Sequence, residues 1–278
     1  MRDRWFKQVD VFGTRPYQGN PVAVVLDADG VSDSAMAAFA RWTNLSETTF
    51  VLPPTQDGAD YRVRIFTPGG EIPFAGHPTL GTCHAWLEAG NTPHYPGVVI
   101  QECGVGLVTL HASAGMAAFG APPLIRDGEP GEAVLAQAVA ALGLEQEQVR
   151  AAAWVDNGPG WLGLLLKDAD TVLGLAPNAA ALGNLAVGVI APQPDGAETD
   201  FEVRAFAPSH GVAEDPVTGS LNAGLAQWLI GSGLAPERYT VTQGTAVGRS
   251  GLVRIFTRDG RIWVGGETAT CIDGTVNL

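Results

Sequence analysis

Two short segments place chemistry-bearing residues at the start of an apolar helix. They are Gly76-His77-Pro78-Thr79-Leu80-Gly81 and Glu214-Asp215-Pro216-Val217-Thr218-Gly219-Ser220. Each follows a strand-like run with a shared ending, Arg64-Ile65-Phe66-Thr67-Pro68 in one half and Arg204-Ala205-Phe206-Ala207-Pro208 in the other. With a small difference in loop length, the repeat pairs Pro78 with Pro216, Gly81 with Gly219 and His77 with Asp215, which implies two related lobes. Proline suits the first helical position, where its missing N–H costs nothing. The residue before it then caps the helix, and Asp215 is a good capping type, so a purely structural role already explains it. The duplication points further. Two helix N-termini aimed at one cleft bring free N–H groups and positive dipole ends onto a single anion, and a small carboxylate fits such a site.

Other constellations lack their required residues. There is no G-x-x-x-x-G-K-S/T loop, no G-x-S-x-G elbow and no H-E-x-x-H pair. His77 and His84 lie two helical turns apart, too far to share a metal without further ligands. Cys83, Cys103 and Cys271 are odd in number and widely spaced, which gives neither a disulfide framework nor a zinc pattern. They read as small buried thiols. The expected chemistry uses no metal and no cofactor.

The elements that must carry these segments are mostly strands. Alternating apolar runs at 22–26, 61–66, 105–110, 161–166, 201–206 and 253–257 read as strands. Helices are expected from Ser32 or Asp33 to Trp42, over 132–142, and from near Pro78 and Pro216. The break at Gly120-Ala121-Pro122-Pro123 divides the chain into a first lobe, 1–121 with the end segment at about 266–278, and a second lobe, 122–265.

Composition sets the outer bounds. Of 278 residues, 46% are hydrophobic and 16% charged, enough apolar sequence for a full core. The net charge of −13 repels a phosphate backbone or an anionic membrane surface, so neither nucleic acid nor membrane is an expected partner. No stretch reaches spanning length and the first residues carry no apolar signal core, so a cytoplasmic location is expected.

These segments, in order, resemble the signatures of PhzF-like (phenazine-biosynthesis) isomerases. The resemblance takes in Gly19-Asn20-Pro21-Val22-Ala23-Val24, Asn44-Leu45-Ser46-Glu47-Thr48, the run from Glu71 to Gly81, the run from Glu214 to Ser220, and Gln243-Gly244 with Gly248-Arg249. It implies the α+β fold of diaminopimelate epimerase, two pseudo-symmetric lobes each wrapping a sheet or barrel round a central helix, with the active site in the cleft. It also implies a homodimer. Carried over residue by residue, it makes Glu47 the proton-transfer group, with His77 and Asp215 beside it as catalytic residues. Ser46, Gly76, Pro78, Thr79, Gly219 and Ser220 are then the residues that hold a small carboxylate substrate. The sequence departs from diaminopimelate epimerase at the helix mouths, where Ala75 and Pro216 are expected to replace its two thiols. A single carboxylate then suits a one-base proton shuttle. The competing reading of His77 is a satisfied buried histidine. For the whole chain the competing reading is a non-catalytic metabolite-binding or protein-binding member of the fold.

Overall fold

The computed structural model describes residues 2–113 and 115–278. The chain forms two compact units, Met1–Gly120 with Gly265–Leu278, and Ala121–Val264. Unit 1 comprises β1 (Asp3–Val11), β2 (Asn20–Val25), α1 (Asp33–Thr43), β3 (Glu47–Leu52), β4 (Tyr61–Thr67), β5 (Gly70–Ile72), α2 (Gly76–Glu88), β6 (Val98–Cys103), β7 (Gly106–Ser113) and β8 (Met116–Gly120). Unit 2 comprises α3 (Glu132–Leu142), β9 (Val149–Trp154), β10 (Trp161–Leu166), α4 (Ala169–Leu173), α5 (Ala179–Leu182), β11 (Ala186–Pro192), β12 (Phe201–Ala207), β13 (Val212–Asp215), α6 (Gly219–Gly231), β14 (Arg238–Gln243) and β15 (Gly251–Arg258). The last strand, β16 (Arg261–Asn277), starts in unit 2 and ends in unit 1. Among the described residues no helix is long and apolar enough to cross a membrane.

In unit 1 the strands run β1-β2-β3-β4-β6-β7-β8-β16, and β16 pairs back onto β1, so the sheet closes on itself. The β2–β3 and β4–β6 pairs are parallel. Alternation makes this possible: along Tyr61-Arg62-Val63-Arg64-Ile65 the apolar residues are buried and the arginines half-buried. Helix α2 is buried along nearly its whole length, from Gly76 to Cys83 and again at Ala85 and Trp86. A helix apolar on every side must sit inside a core. Unit 2 follows the same plan, with β15-β14-β12-β11-β10-β9 as its strand path and α6 as its buried helix.

Glycine sets how closely each helix meets its sheet. A Cβ on Gly81 of α2 would lie 2.3 Å from Val22 Cγ1 of β2. On Gly224 of α6 it would lie 2.2 Å from the Val155 carbonyl oxygen, a backbone atom that cannot swing away. These two glycines occupy the same place in their helices, each five residues past the first helical residue.

The repeat is real, but its register differs from the sequence expectation. Arg64 Nε and Nη2 donate to Glu71 Oε1 and Oε2 at 2.7 and 2.5 Å, and Arg204 donates in the same way to Glu214 at 2.9 and 2.8 Å. Each guanidinium also lies over the phenylalanine two residues on, 5.2 Å from the Phe66 centroid and 5.0 Å from that of Phe206. These bidentate clamps equate Glu71 with Glu214. It follows that Pro216 matches Pro73 and not Pro78, that Gly76 matches Gly219, and that His77 matches Ser220. Proline does not open either helix. Pro78 is the third residue of α2, still within the first turn where its missing N–H breaks no helical bond. Asp215 is not an N-cap either: it closes β13, and Thr218 is the cap residue of α6.

Replacing Gly224 by alanine forces the new methyl against backbone and is expected to cost at least about 2 kcal/mol in urea unfolding. Gly231→Ala, where a Cβ meets nothing within 4 Å, should be neutral or stabilising by up to about 1 kcal/mol. Equal effects at the two sites would contradict the close helix–sheet approach.

Candidate active site

Glu47 owes its position to the turn after α1. Asn44 ends that helix in the left-handed region at φ 55°, which asparagine tolerates better than most side chains, and its N–H donates to the Ala40 carbonyl at 3.2 Å. The chain reverses through Leu45 and Ser46, and Glu47 becomes the first residue of β3, opposite Val22 in the parallel register with β2. Two residues before Val22 stands Asn20, at the start of β2. The parallel pairing therefore brings Asn20 and Glu47 to the same end of the sheet, next to the first turn of α2.

His77 lies between them and is 2% exposed. Asn20 Nδ2 is 3.3 Å from its Nδ1, and Glu47 Oε2 is 3.4 Å from its Nε2. Burial pushes the imidazole pKa down to about 3, against the opposing pull of a hydrogen bond to the Pro21 carbonyl. The ring is therefore uncharged at neutral pH. In His77 the Glu47 carboxylate faces a polar, neutral side chain. The Glu47 side chain keeps 14% of its surface exposed, so it is within reach of a small molecule. Ala75, the cap residue of α2, offers no side-chain acceptor. The cap residue itself therefore supplies no partner to the first-turn N–H groups of α2.

The remaining unit 1 residues divide by depth. Ser46 is half-buried beside Glu47. Pro78 is buried, and Thr79 is fully buried with its hydroxyl accepting from Gln101 Nε2 at 3.0 Å, while Tyr61 donates to Gln101 at 3.0 Å. Thr79 thereby ties α2 to its sheet. His84 has both ring nitrogens taken, by Thr268 and Thr270 at 3.0 Å each. No group of three His, Cys, Asp or Glu side chains gathers in metal-holding geometry among the described residues.

Unit 2 builds its helix mouth differently. Asp215, 8% exposed, accepts from the Thr218 hydroxyl at 2.6 Å. Gln243 ties the turn together: its Nε2 donates to Thr218 Oγ1 and the Asp215 carbonyl, and its Oε1 accepts from the Thr218 N–H and Asn222 Nδ2. These bonds run from 2.9 to 3.1 Å. Thr218 makes no side-chain cap bond to α6. The residues that occupy the two cap positions are Ala75 and Thr218, which corrects the expectation of Pro216. Cys83 lies inside α2, where burial pushes its thiol up to about 12, and Cys103 and Cys271 lie in strands. Asn20 and Gln243 belong to the motifs that carry the family resemblance, but only the three-dimensional register gives them roles.

Comparison with known proteins bears on this geometry. The phenazine biosynthesis-like protein family, PhzC-PhzF, matches residues 9–274. The chain is 35% identical over 262 residues to the trans-2,3-dihydro-3-hydroxyanthranilate isomerase of Pseudomonas aeruginosa, covering 87% of this chain and 86% of the relative. It is 37% identical over 294 residues to the Schizosaccharomyces pombe protein called Antisense-enhancing sequence 1, covering 99% of each. Among solved structures, a PhzF family phenazine biosynthesis protein from Enterococcus faecalis superposes over all of both chains with a TM-score of 0.82 at 26% identity. A hydroxyproline epimerase from Agrobacterium vitis shares the fold alone, with a TM-score of 0.61 at 15% identity over 99% of this chain and 92% of that one. A family model spanning nearly the whole chain, isomerase relatives of matching length and an epimerase-type fold together show that this protein is an isomerase of the phenazine biosynthesis-like family.

Proposed function

We propose that the protein catalyses a cofactor-independent proton shift on a small cyclic amino or hydroxy carboxylate, with Glu47 as the single proton-transferring group. The observation that carries this reading is the Glu47 carboxylate set 3.4 Å from an uncharged His77 at the uncapped start of α2. Glu47 takes a proton from one carbon of the substrate, leaving the electron pair to move through the adjoining π system. It returns the same proton to a second carbon, so the product is an isomer and nothing is consumed. His77 stays neutral throughout and holds the substrate by hydrogen bonding. In unit 1 the N–H groups at the start of α2 from Gly76, with Ser46 beside the base, offer a place for a substrate polar group; in unit 2 the N–H groups of Gly219 and Ser220, with Asp215 beside them, offer a place for a carboxylate. The Pseudomonas aeruginosa relative names the first compound to try, trans-2,3-dihydro-3-hydroxyanthranilate. The same reading takes the protein to be a cytoplasmic homodimer, which light scattering on the purified protein tests.

If Glu47 carries the proton, Glu47→Gln keeps shape and polarity but removes the basic site. The turnover number should fall by about 10²–10⁴-fold while substrate Kd, measured by calorimetry, moves by less than about threefold. A near-normal rate would assign the chemistry elsewhere. Asp215→Asn should instead raise Kd as well as lower the rate, and a variant that binds normally would take Asp215 out of substrate recognition.

His77 also predicts a pH dependence of stability. Its pKa is about 3 when folded against 6.5 when unfolded, so below about pH 6.5 the unfolded chain binds a proton that the folded one refuses. Stability from this group is complete above that pH and is lost as pH falls toward 3, by up to about 1.4 kcal/mol per unit. Burial lowers His84 and His210 in the same direction, so the His77 share is read by difference. Urea unfolding of His77→Asn between pH 7 and 5 should show a shallower loss than wild type, and parallel curves would refute the buried neutral imidazole.

A further inference from the structure

Ser220 occupies in α6 the position that His77 occupies in α2, the second residue of the helix. Two side chains grip it, Asn157 from the β9–β10 connection and Trp161 from the start of β10. Trp161 Nε1 donates to Ser220 Oγ at 3.1 Å, and Asn157 Nδ2 donates to the Ser220 carbonyl at 2.8 Å. All three residues are buried, none more than 4% exposed. The connection is itself fixed. Asp156 Oδ1 accepts from the N–H groups of Gly158 and Gly160 at 2.7 and 2.8 Å, and those glycines sit at φ 141° and 84°, where side chains are disfavoured.

Donor chemistry gives this arrangement a direction. An indole N–H donates and has no lone pair to accept with, so in the Trp161–Ser220 bond the serine oxygen must be the acceptor. The serine proton is left over, and no acceptor among the described residues takes it. A hydroxyl that accepts one hydrogen bond is polarised into a better donor of the next. Trp161 takes one of the two serine lone pairs, which leaves the proton and one lone pair for a ligand and favours donation.

We infer that Trp161 is a positioning residue that fixes Ser220 as a hydrogen-bond donor to the substrate carboxylate, with Asn157 anchoring the serine backbone. This rests on the proposed role of the α6 start in holding a carboxylate, and it adds a specificity rule. A ligand acceptor receives the polarised Ser220 proton, whereas a ligand with only a donor there has a single remaining lone pair to reach and leaves that proton unused.

The test has a spectroscopic arm and a kinetic arm. In protein with ¹⁵N-labelled tryptophan, the Trp161 indole resonance is identified by its loss in Trp161→Phe. Ser220→Ala should move that resonance upfield and speed its exchange with solvent, whereas Ser220→Thr, which keeps a hydroxyl, should leave it near its wild-type position. Saturating benzoate should shift it in the wild type and leave it unmoved in Ser220→Ala. With trans-2,3-dihydro-3-hydroxyanthranilate as substrate, Trp161→Phe should raise KM by about 5–20-fold with kcat within about threefold. Added to Ser220→Ala, it should raise KM no further, because it acts only through the serine. An indole resonance indifferent to Ser220→Ala or to benzoate, or KM effects that multiply in the double variant, overturns the inference. The spectroscopic arm needs no turnover, so a wild type inactive on this substrate would sink the proposed reaction and leave Trp161 still decided.

Discussion

Each unit of this protein buries a helix whose first turn carries no side-chain cap, and the rest of the structure depends on that constraint. A buried helix end leaves N–H groups that must find partners, because a desolvated donor costs on the order of 1–3 kcal/mol. Ser32, Asp168 and Asn178 cap α1, α4 and α5 by accepting from their own first turns, and the eleven-residue α3 starts at Gly131 without a side-chain cap but is only partly buried. Ala75 and Thr218 accept no such bond. Stability is thereby withheld at the two helix starts around which His77, Glu47, Asp215 and Ser220 are set. In the proposed function an anion bound there would supply the missing partners.

The surroundings make such ends tolerable. Gly81 and Gly224 let the helices press into their sheets, and the arginine clamps on Glu71 and Glu214 fix the segment leading into each helix. Arg204 Nη1 also satisfies carbonyls of Val172 and Leu175 near the end of α4, so a single buried guanidinium supports two turns. From this common frame the units diverge at one step of the helix. Where unit 1 has a neutral imidazole beside a carboxylate, unit 2 has a hydroxyl held by an indole. The first pairing suits moving a proton. The second suits holding a charge without titrating.

The fold and the segments that carry the candidate site were legible in the sequence because they are local. Ser32 as a cap, a helix over Glu132–Leu142 and the alternating strand at Tyr61–Thr67 follow from spacing alone. Register between the halves was not legible. Two prolines sit near two helix starts, and local rules favour aligning them, whereas the clamps that fix the true register span seven and ten residues and form only in space. Strand β16 has no clear alternation in the sequence, since it is half-exposed and interrupted by Gly265, Gly266 and Gly274. Asn20 meets His77 only through the parallel pairing of β2 with β3, and Trp161 meets Ser220 only across unit 2. No periodicity encodes such contacts.

Whether one carboxylate moves the proton can be read from isotopes. Substrate deuterated at the carbon that loses its proton should, in ordinary water, give product carrying part of that label at the receiving carbon, because a single Glu47 shielded in the site returns what it took. Glu47→Gln should neither transfer nor exchange it. Complete loss of label to solvent in the wild type, together with undiminished turnover by Glu47→Gln, would contradict a one-base mechanism at this residue.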